Sequence, residues 1–126
     1  LGAGQIGPNG DVNVSRMSRD RLTGPGGFID ITQATRNVYF MATFTAKGLD
    51  VTCASSGDGG GDVDGDEGDE RCLRIVKEGA VRKFVDKPNE VTFSGDEAAR
   101  RGQRVMYFTE RAVFRRTVHE DTIELI

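Results

Sequence analysis

The sequence predicts an open α/β fold in which mixed β-structure predominates and two short helices are inserted. The strongest observation is the run from Val38 to Thr45, which is nearly continuous in β-branched and aromatic residues. Such a run is typical of a strand buried on both faces, inside a sheet that helices cover. An amphipathic segment beginning at Phe28 and a capping box at Ser94 indicate the helices, which we expect near residues 28–36 and 95–101.

Composition restricts the class of protein. The 126 residues are 37% hydrophobic and 29% charged, which suits one soluble globular domain with a modest core. The net charge of −3 and the lack of a long basic block argue against a general nucleic-acid surface. No apolar run approaches the ~18 residues that a membrane span needs, and no secretory signal is evident. We therefore expect neither nucleic acid nor a membrane as a partner.

The first part of the chain leads into a glycine turn. A turn signature at Gly7–Gly10 precedes alternating apolar residues from Val12 to Met17, which predict a short strand. The charged run Arg16–Arg21 is expected to be a surface loop. It is followed by Gly24-Pro25-Gly26-Gly27, directly before the helical segment. Glycines at this position leave the first helical N–H groups uncovered, so the turn is either a site for an anion or oxyanion or a plain entry into a helix.

After the Val38–Thr45 strand the chain forms a predicted hairpin with an acidic insert. Its arms are Leu49–Cys53 and Leu73–Lys77, and the segment between them, about 54–71, is rich in glycine and acidic residues. This insert has too little apolar surface to offset the cost of ordering it, so we expect a flexible loop. Calcium binding is disfavoured, because the sixth and twelfth positions of an EF-hand-like loop are Glu67 and Leu73. Adaptation to high salt is the other explanation, since arginines outnumber lysines.

The two cysteines flank this insert, and strand parity argues against a disulfide between them. If Val51 and Ile75 face the same side of the hairpin, Cys53 lies opposite Leu73 and Cys72 points to the other face. We therefore expect two reduced cysteines in a cytoplasmic protein.

The last third of the chain is predicted as strands around one helix. The Ser94 hydroxyl can accept a hydrogen bond from the Glu97 N–H while the Glu97 side chain reaches back, and Gly102 stands where the helix should stop. Strands are expected at Val81–Val85, Glu90–Phe93, Val105–Phe108, Ala112–Phe114 and Thr117–Ile126.

Four segments, in order, resemble one enzyme family. The loop Gly-Pro-Gly-Gly-Phe-Ile-Asp-Ile-Thr-Gln of residues 24–33 resembles that of the class I coenzyme A transferases, of the acetate, propionate and acetoacetyl type, whose two halves are fused. The others are Asn-Gly-Asp-Val-Asn-Val-Ser at 9–15, Leu-Arg-Ile-Val-Lys-Glu-Gly at 73–79 and Thr-Glu-Arg-Ala-Val-Phe at 109–114. The resemblance implies a NagB/RpiA/CoA-transferase-like domain. Residues 1–126 would then be the C-terminal portion of the second, beta-type domain, and a start at Leu1 agrees with a piece of a longer polypeptide.

The resemblance also implies a reaction. In that family a glutamate carboxylate attacks an acyl thioester to give a mixed anhydride and the CoA thiolate. The thiolate then attacks the glutamyl carbonyl, which forms a glutamyl–CoA thioester and releases the first carboxylate, and a second carboxylic acid attacks this thioester. Gly26, Gly27 and Phe28 match the loop beside the acyl site, and we expect the turn to have a positive φ at Gly27. Lys47, with Gly48, follows a predicted strand, where its ammonium either meets a CoA phosphate or stays solvated. The implied substrates are acyl-CoA and short-chain carboxylates, in short-chain fatty-acid or ketone-body metabolism, with no permanently bound cofactor and with a homo-oligomer in the cytoplasm.

The nucleophilic glutamate is expected upstream of these residues, so the fragment alone should be inactive. Glu78 and Glu110 are not assigned to that role, and His119, in a charged segment, is expected to be exposed. No motif indicates a metal site. Two alternatives stay open: a non-catalytic β-rich binding or assembly module whose acidic loop recruits cations or basic partners, and a regulatory relative of the transferases.

Overall fold

The computed structural model describes residues 1–54 and 72–126, with the backbone alone at Ala54 and Cys72. The predictions that the insert is flexible and that it does not form a calcium loop concern residues that lie largely outside these ranges. The described helices are α1 (Phe28–Ala34) and α2 (Gly95–Arg100). The described strands are β1 (Gln5–Ile6), β2 (Val12–Asn13), β3 (Arg16–Ser18), β4 (Arg21–Leu22), β5 (Asn37–Met41), β6 (Thr45–Ala46), β7 (Asp50–Ala54), β8 (Cys72–Lys77), β9 (Val81–Arg82), β10 (Arg104–Phe108), β11 (Val113–Arg116) and β12 (Ile123–Leu125).

A four-stranded mixed sheet with the order β12-β11-β10-β5 organises the molecule, and four two-stranded ladders surround it. β5 and β10 are parallel, with Val38 opposite Val105 and Phe40 opposite Tyr107. The pairings of β10 with β11 and of β11 with β12 are antiparallel. A mixed sheet with two short helices is the fold class that the sequence predicted.

The core lies on one face of this sheet. Phe40 is fully buried, and its ring packs against those of Phe28 at 5.8 Å, Phe93 at 5.1 Å and Tyr107 at 5.4 Å, measured between centroids. The side chain of Phe28 therefore joins α1 to the sheet. Aromatic pairs of this kind stabilise a core by about 0.5–1.5 kcal/mol each beyond the burial of their area.

The predicted burial of Val38–Thr45 on both faces is wrong within the described residues. The pattern alternates along β5, so that Val38 and Phe40 are buried while Tyr39 and Met41 are 46% and 69% exposed. The strand also ends at Met41, and Thr45 belongs to β6, which pairs with β9 outside this sheet. β5 is the last strand of the sheet order. Apolar residues on both faces of a parallel strand call for a second covering layer, which the described residues do not supply.

Both predicted ends of α2 are present. Ser94 Oγ accepts the Glu97 N–H at 3.3 Å, which confirms the first half of the capping box. The Glu97 carboxylate does not complete the box in this structure but accepts a hydrogen bond from Arg100 at 2.9 Å. Gly102 has φ +69°, and the N–H groups of Gly102 and Gln103 each donate at 2.9 Å to carbonyls of the last helical turn. This is a Schellman stop, for which glycine is favoured.

The β7–β8 hairpin has the predicted register. Val51 is paired with Ile75 and Cys53 with Leu73, and Cys72 stands opposite Ala54 in the backbone ladder. The Cys53 thiol is free and exposed.

The strands predicted at Val105–Phe108 and Ala112–Phe114 are present as β10 and β11, but three other predicted strands are shorter than expected. The segment 81–85 contributes only β9, residues 117–126 contribute only β12, and 90–93 makes one isolated bridge between Phe93 and Val12. The run 16–21, expected to be a surface loop, belongs to the largely exposed β3–β4 hairpin. Outside β9, the segments 81–85 and 90–93 form isolated backbone hydrogen bonds with residues distant in sequence and do not form extended ladders. For example, the Val85 N–H donates to the Ile6 carbonyl at 3.0 Å.

The Asn9–Asp11 turn is a buried junction. The Tyr107 hydroxyl donates to the Gly10 carbonyl at 2.5 Å, and burial raises the pKa of this phenol well above its ordinary value. Arg116, 6% exposed, donates to the Asn9 carbonyl and to Asp96, both at 2.9 Å. The motif that contains Asn9 and Gly10 is therefore explained by packing and hydrogen bonding.

Candidate functional site at the carboxyl end of the parallel strands

The glycine turn before α1 has two left-handed residues. Gly24 and Gly26 have φ +71° and +52°, which favours glycine at both positions. Gly27 has φ −79° and is the N-cap of α1. The expectation of a positive φ at Gly27 is therefore wrong, because Gly24 and Gly26 make the left-handed turn before the chain reaches this N-cap. Among the described residues, no heavy atom lies within 4 Å of the position that a Cβ on Gly27 would take.

The three predicted residues of this loop differ in what their amides do. Phe28 N–H donates to the Pro25 carbonyl at 3.0 Å, and its buried ring anchors the turn on Phe40. Within residues 1–54 and 72–126, the N–H groups of Gly26 and Gly27 have no hydrogen-bond acceptor. The structure thus assigns Phe28 to anchoring and leaves the two glycine amides open at the start of α1.

Lys47 and Gly48 form a second left-handed pair. Their φ angles are +60° and +89°, and Lys47 is the only non-glycine residue with positive φ in the described parts of the chain. For an L-residue this conformation costs about 1 kcal/mol, so the surrounding structure must hold it. The Lys47 carbonyl accepts the Ala80 N–H at 3.0 Å, and the residue is otherwise exposed.

The glycine turn and the start of the segment that carries Lys47 lie at one end of the parallel strands β5 and β10. Because Phe28 stacks on Phe40 near the end of β5, the glycine turn lies toward the carboxyl end of that strand. The segment 42–48 leaves β5 at the same end, and the 109–111 turn leaves β10 there. In open α/β sheets, ligands bind outside the carboxyl ends of parallel strands. The fold therefore places the predicted loop at this edge, and the segment that carries Lys47 departs from it.

The 109–111 turn after β10 contacts the segment 42–48 after β5. Glu110 accepts the Phe44 N–H at 2.8 Å with one carboxylate oxygen and Arg111 Nε at 3.1 Å with the other. The Arg111 guanidinium lies 5.0 Å from the centroid of the Phe44 ring and also pairs with Glu78. Thr45 Oγ1 donates to Glu78 at 3.2 Å. Since both oxygens of Glu110 are engaged, its geometry suits a structural turn.

Glu78 and Arg111 shift each other's pKa. The hydrogen bond from Arg111 is the main cause that holds the pKa of Glu78 below its ordinary value, and that bond in turn raises the pKa of Arg111. A surface cavity of about 590 Å³ is lined by these side chains together with Phe44, Gly79, Arg82 and Phe84. Gly79 is required by close packing, since a Cβ there would stand 2.4 Å from the Ala46 carbonyl oxygen.

The segments that contain Glu78 and Arg111 both match motifs in the sequence, but nothing in the sequence indicates that the two side chains pair. Their pairing depends on the β6–β9 ladder and the parallel register of β5 with β10, which bring residues 33 positions apart into contact. The sequence offered one signal for this cluster. A carboxylate stands next to glycine at Glu78-Gly79, and an acid stands next to arginine at Glu110-Arg111. His119 is exposed, as expected.

Neither a metal-binding cluster nor a membrane-spanning helix is found in the part of the chain that is described. Over residues 1–54 and 72–126, no group of three or more His, Cys, Asp or Glu side chains is arranged to hold a metal ion. Neither α1 nor α2, the helices of those ranges, is long and apolar enough to cross a bilayer.

Known proteins with similar sequences are CoA-transferases. The chain is 42% identical over 119 residues to the caffeate CoA-transferase of Acetobacterium woodii, a match that covers 91% of the chain and 20% of that protein. It is 38% identical over 126 residues to the acetate CoA-transferase YdiF of Escherichia coli O157:H7, covering 100% of the chain and 20% of that protein. No protein-family model matches the sequence.

Solved structures with a similar fold are also CoA-transferases. The backbone matches the crystal structure of the acyl-CoA transferase YdiF apoenzyme from Escherichia coli O157:H7 with a TM-score of 0.80 and 37% identity, over 100% of this chain and 21% of that one. A thioester complex of YdiF with CoA matches equally well. The chain spans about a fifth of the length of these relatives. In sequence and in fold, the chain matches one portion of these CoA-transferases.

Proposed function

We propose that the full-length polypeptide is an acyl-CoA:carboxylate CoA-transferase and that this fragment supplies part of its acyl-CoA site. The observation that carries the proposal is the edge at the carboxyl ends of β5 and β10, where the turn with the open Gly26 and Gly27 amides lies and from which the segment carrying the left-handed Lys47 departs. Relatives named as caffeate and acetate CoA-transferases, and a relative whose CoA thioester complex has been solved, support it.

In this proposal the Gly26 and Gly27 amides stabilise developing negative charge. When a carboxylate adds to a thioester carbonyl, the carbonyl oxygen becomes an oxyanion, and a preorganised N–H donor is worth on the order of 3 kcal/mol there. The two amides have no competing acceptor among the described residues, which leaves them available. Phe28 contributes by holding the turn on the core.

Lys47 and Gly48 would contact the CoA portion of the substrate. Lys47 is exposed, on the segment that leaves β5 at this edge, and its ammonium carries the charge that a CoA phosphate requires. Such a contact binds ground state and transition state equally, so it should act on KM.

The nucleophile is proposed to be a glutamate elsewhere in the polypeptide that forms a glutamyl–CoA thioester with short-chain acyl groups. Glu110 is occupied by Phe44 N–H and Arg111, and Glu78 by Arg111 and Thr45, so neither is a free carboxylate poised for attack. CoA is then a substrate and the enzyme needs no resident cofactor.

The rest of the polypeptide is proposed to cover the outer sheet face, which we define as Tyr39, Met41, Met106, Phe108 and Val113. Parallel strand pairs occur with both faces covered, and Met41 is 69% exposed here. We also propose a homo-oligomer and a cytoplasmic location, the latter because the hairpin register separates the two cysteines and leaves Cys53 a free thiol.

The test is to trap the thioester in the full-length protein. Incubation with acetyl-CoA followed by borohydride converts an enzyme-bound glutamyl thioester to an alcohol, whose mass change locates the residue after digestion. The proposal expects CoA transfer to a carboxylate acceptor and a single reduced glutamate outside these 126 residues. Reduction at Glu78 or Glu110 would overturn the assignment of the nucleophile, and a folded protein without CoA transfer would overturn the function.

A further inference from the structure

Arg111 makes three contacts that converge on one short segment of chain. It pairs with Glu78, it donates through Nε to Glu110 at 3.1 Å, and its guanidinium lies over the ring of Phe44. Glu110 in turn accepts the Phe44 N–H, and Glu78 accepts the Thr45 hydroxyl. Arg111 therefore contacts Phe44 directly and through Glu110, and it reaches Thr45 through Glu78.

That segment runs directly into the strained backbone at Lys47. A left-handed lysine persists only when its surroundings over-determine it. The supports on its two sides are the Arg111 cluster at Phe44 and Thr45 and the Ala80 N–H donated to the Lys47 carbonyl. The Gly79 N–H donates to Thr45 Oγ1 at 3.0 Å, which ties the second support to the first.

We propose that Arg111 is a positioning residue, which holds the segment Phe44–Gly48 in place and through it aims the Lys47 ammonium. The first half of this proposal concerns the chain alone, and the second half rests on the proposed role of Lys47 in binding CoA. Arg111 itself does not need to touch the substrate, because its guanidinium is engaged by two carboxylates and an aromatic ring.

The first experiment tests the structural half without using activity. Trypsin cleaves after Lys47 only when the local chain opens, so its cleavage rate at Lys47–Gly48 in the full-length protein reports how firmly the segment is held. Arg111→Ala should raise that rate by about tenfold or more. Arg115→Ala is the matched control, because Arg115 on β11 pairs with Glu124 on β12 at 2.7 Å and, among the described residues, has no hydrogen bond or ion pair with the segment. An unchanged rate in Arg111→Ala would overturn the proposal.

The second experiment tests the aim of Lys47 by a double-mutant cycle. Arg111→Ala should raise the KM for acetyl-CoA about tenfold with kcat within about twofold, and adding Lys47→Ala should give little further change. Arg111→Lys keeps the charge but cannot bridge both carboxylates, so it should restore only part of the affinity. Additive effects of Arg111→Ala and Lys47→Ala would overturn the link between the two residues. If Lys47→Ala alone leaves KM unchanged, the proposed role of Lys47 fails, while the trypsin result still decides the structural half.

Discussion

At the scale of single residues, the two open glycines of the turn have different backbone requirements. Gly26 needs its left-handed φ of +52°, whereas Gly27, at φ −79°, can accept a side chain without backbone strain or a clash within the described residues. Gly26→Ala should therefore destabilise the local fold by about 1 kcal/mol, and Gly27→Ala by no more than a few tenths. Hydrogen exchange of the α1 amides in the full-length protein measures both. Equal effects of the two substitutions would show that φ does not govern this turn.

Gly27→Val is, for the same reason, a clean probe of catalysis. A valine there does not distort the turn, so any loss of activity reports on the space and the amide beside the acyl group. We expect kcat to fall by roughly 100-fold or more, the scale of one lost oxyanion donor, in a protein that still folds. Normal turnover in a folded Gly27→Val enzyme would make Gly24–Gly27 an ordinary entry into a helix.

Asp96 gives a pH-dependent contribution with a defined sign. The hydrogen bond from Arg116 is the main cause that lowers the pKa of Asp96 below its ordinary value of 3.8. A carboxyl whose folded pKa is lower than its unfolded pKa stabilises the fold above the unfolded value and loses that contribution as pH falls through the folded one. Urea unfolding of Asp96→Asn should thus show a deficit against the parent protein near pH 7 that shrinks below about pH 4. A deficit independent of pH would assign the effect to packing.

At the scale of elements, α2 depends on its ends more than on its length. A helix of 6 residues has little intrinsic stability, so the cap at Ser94 and the glycine stop at Gly102 carry much of it. Ser94→Ala should cost about 1 kcal/mol, and Ser94→Asp, which keeps a capping acceptor, should cost little. Protection of the α2 amides from exchange is the measurement, and equal loss in both variants would argue against the cap.

The same local rules explain which elements could be predicted from sequence. The Ser94 cap, the Gly102 stop and the β7–β8 register are each determined by residues close in sequence or by strand parity, and the structure confirms them. The burial of β5 could not be predicted, because exposure of Tyr39 and Met41 depends on which layers are present.

The candidate site was predictable only in part, for a related reason. The glycine turn and Lys47 stand out locally, one by composition and the other by its place after a strand. The pairing of Glu78 with Arg111 is set by long-range ladders and leaves no periodic signal in either motif. The sign of φ at Gly27 was missed because a glycine run does not reveal which member makes the turn.

At the scale of the whole molecule, the outer sheet face tests whether the fragment is part of a larger fold. Tyr39 and Phe108 meet edge to face at 5.9 Å, and Met41 and Phe108 are paired across the parallel ladder, so the face is a continuous apolar surface. A surface of this kind on a parallel pair is stable in water only beneath another layer. Because the relatives are about five times longer, we expect that layer to come from the same polypeptide.

A single cysteine measures this directly. With Cys53 and Cys72 replaced by serine in the full-length protein, Met41→Cys should react with a thiol reagent at least about 100-fold more slowly in the native state than in urea. Leu22→Cys, on the β3–β4 hairpin where the side chain is 70% exposed, serves as the accessible control. Protection that disappears on dilution would place a second copy of the chain on this face. Rapid labelling of Met41→Cys at every concentration would leave the face open, and an outer layer from the same polypeptide would then be wrong.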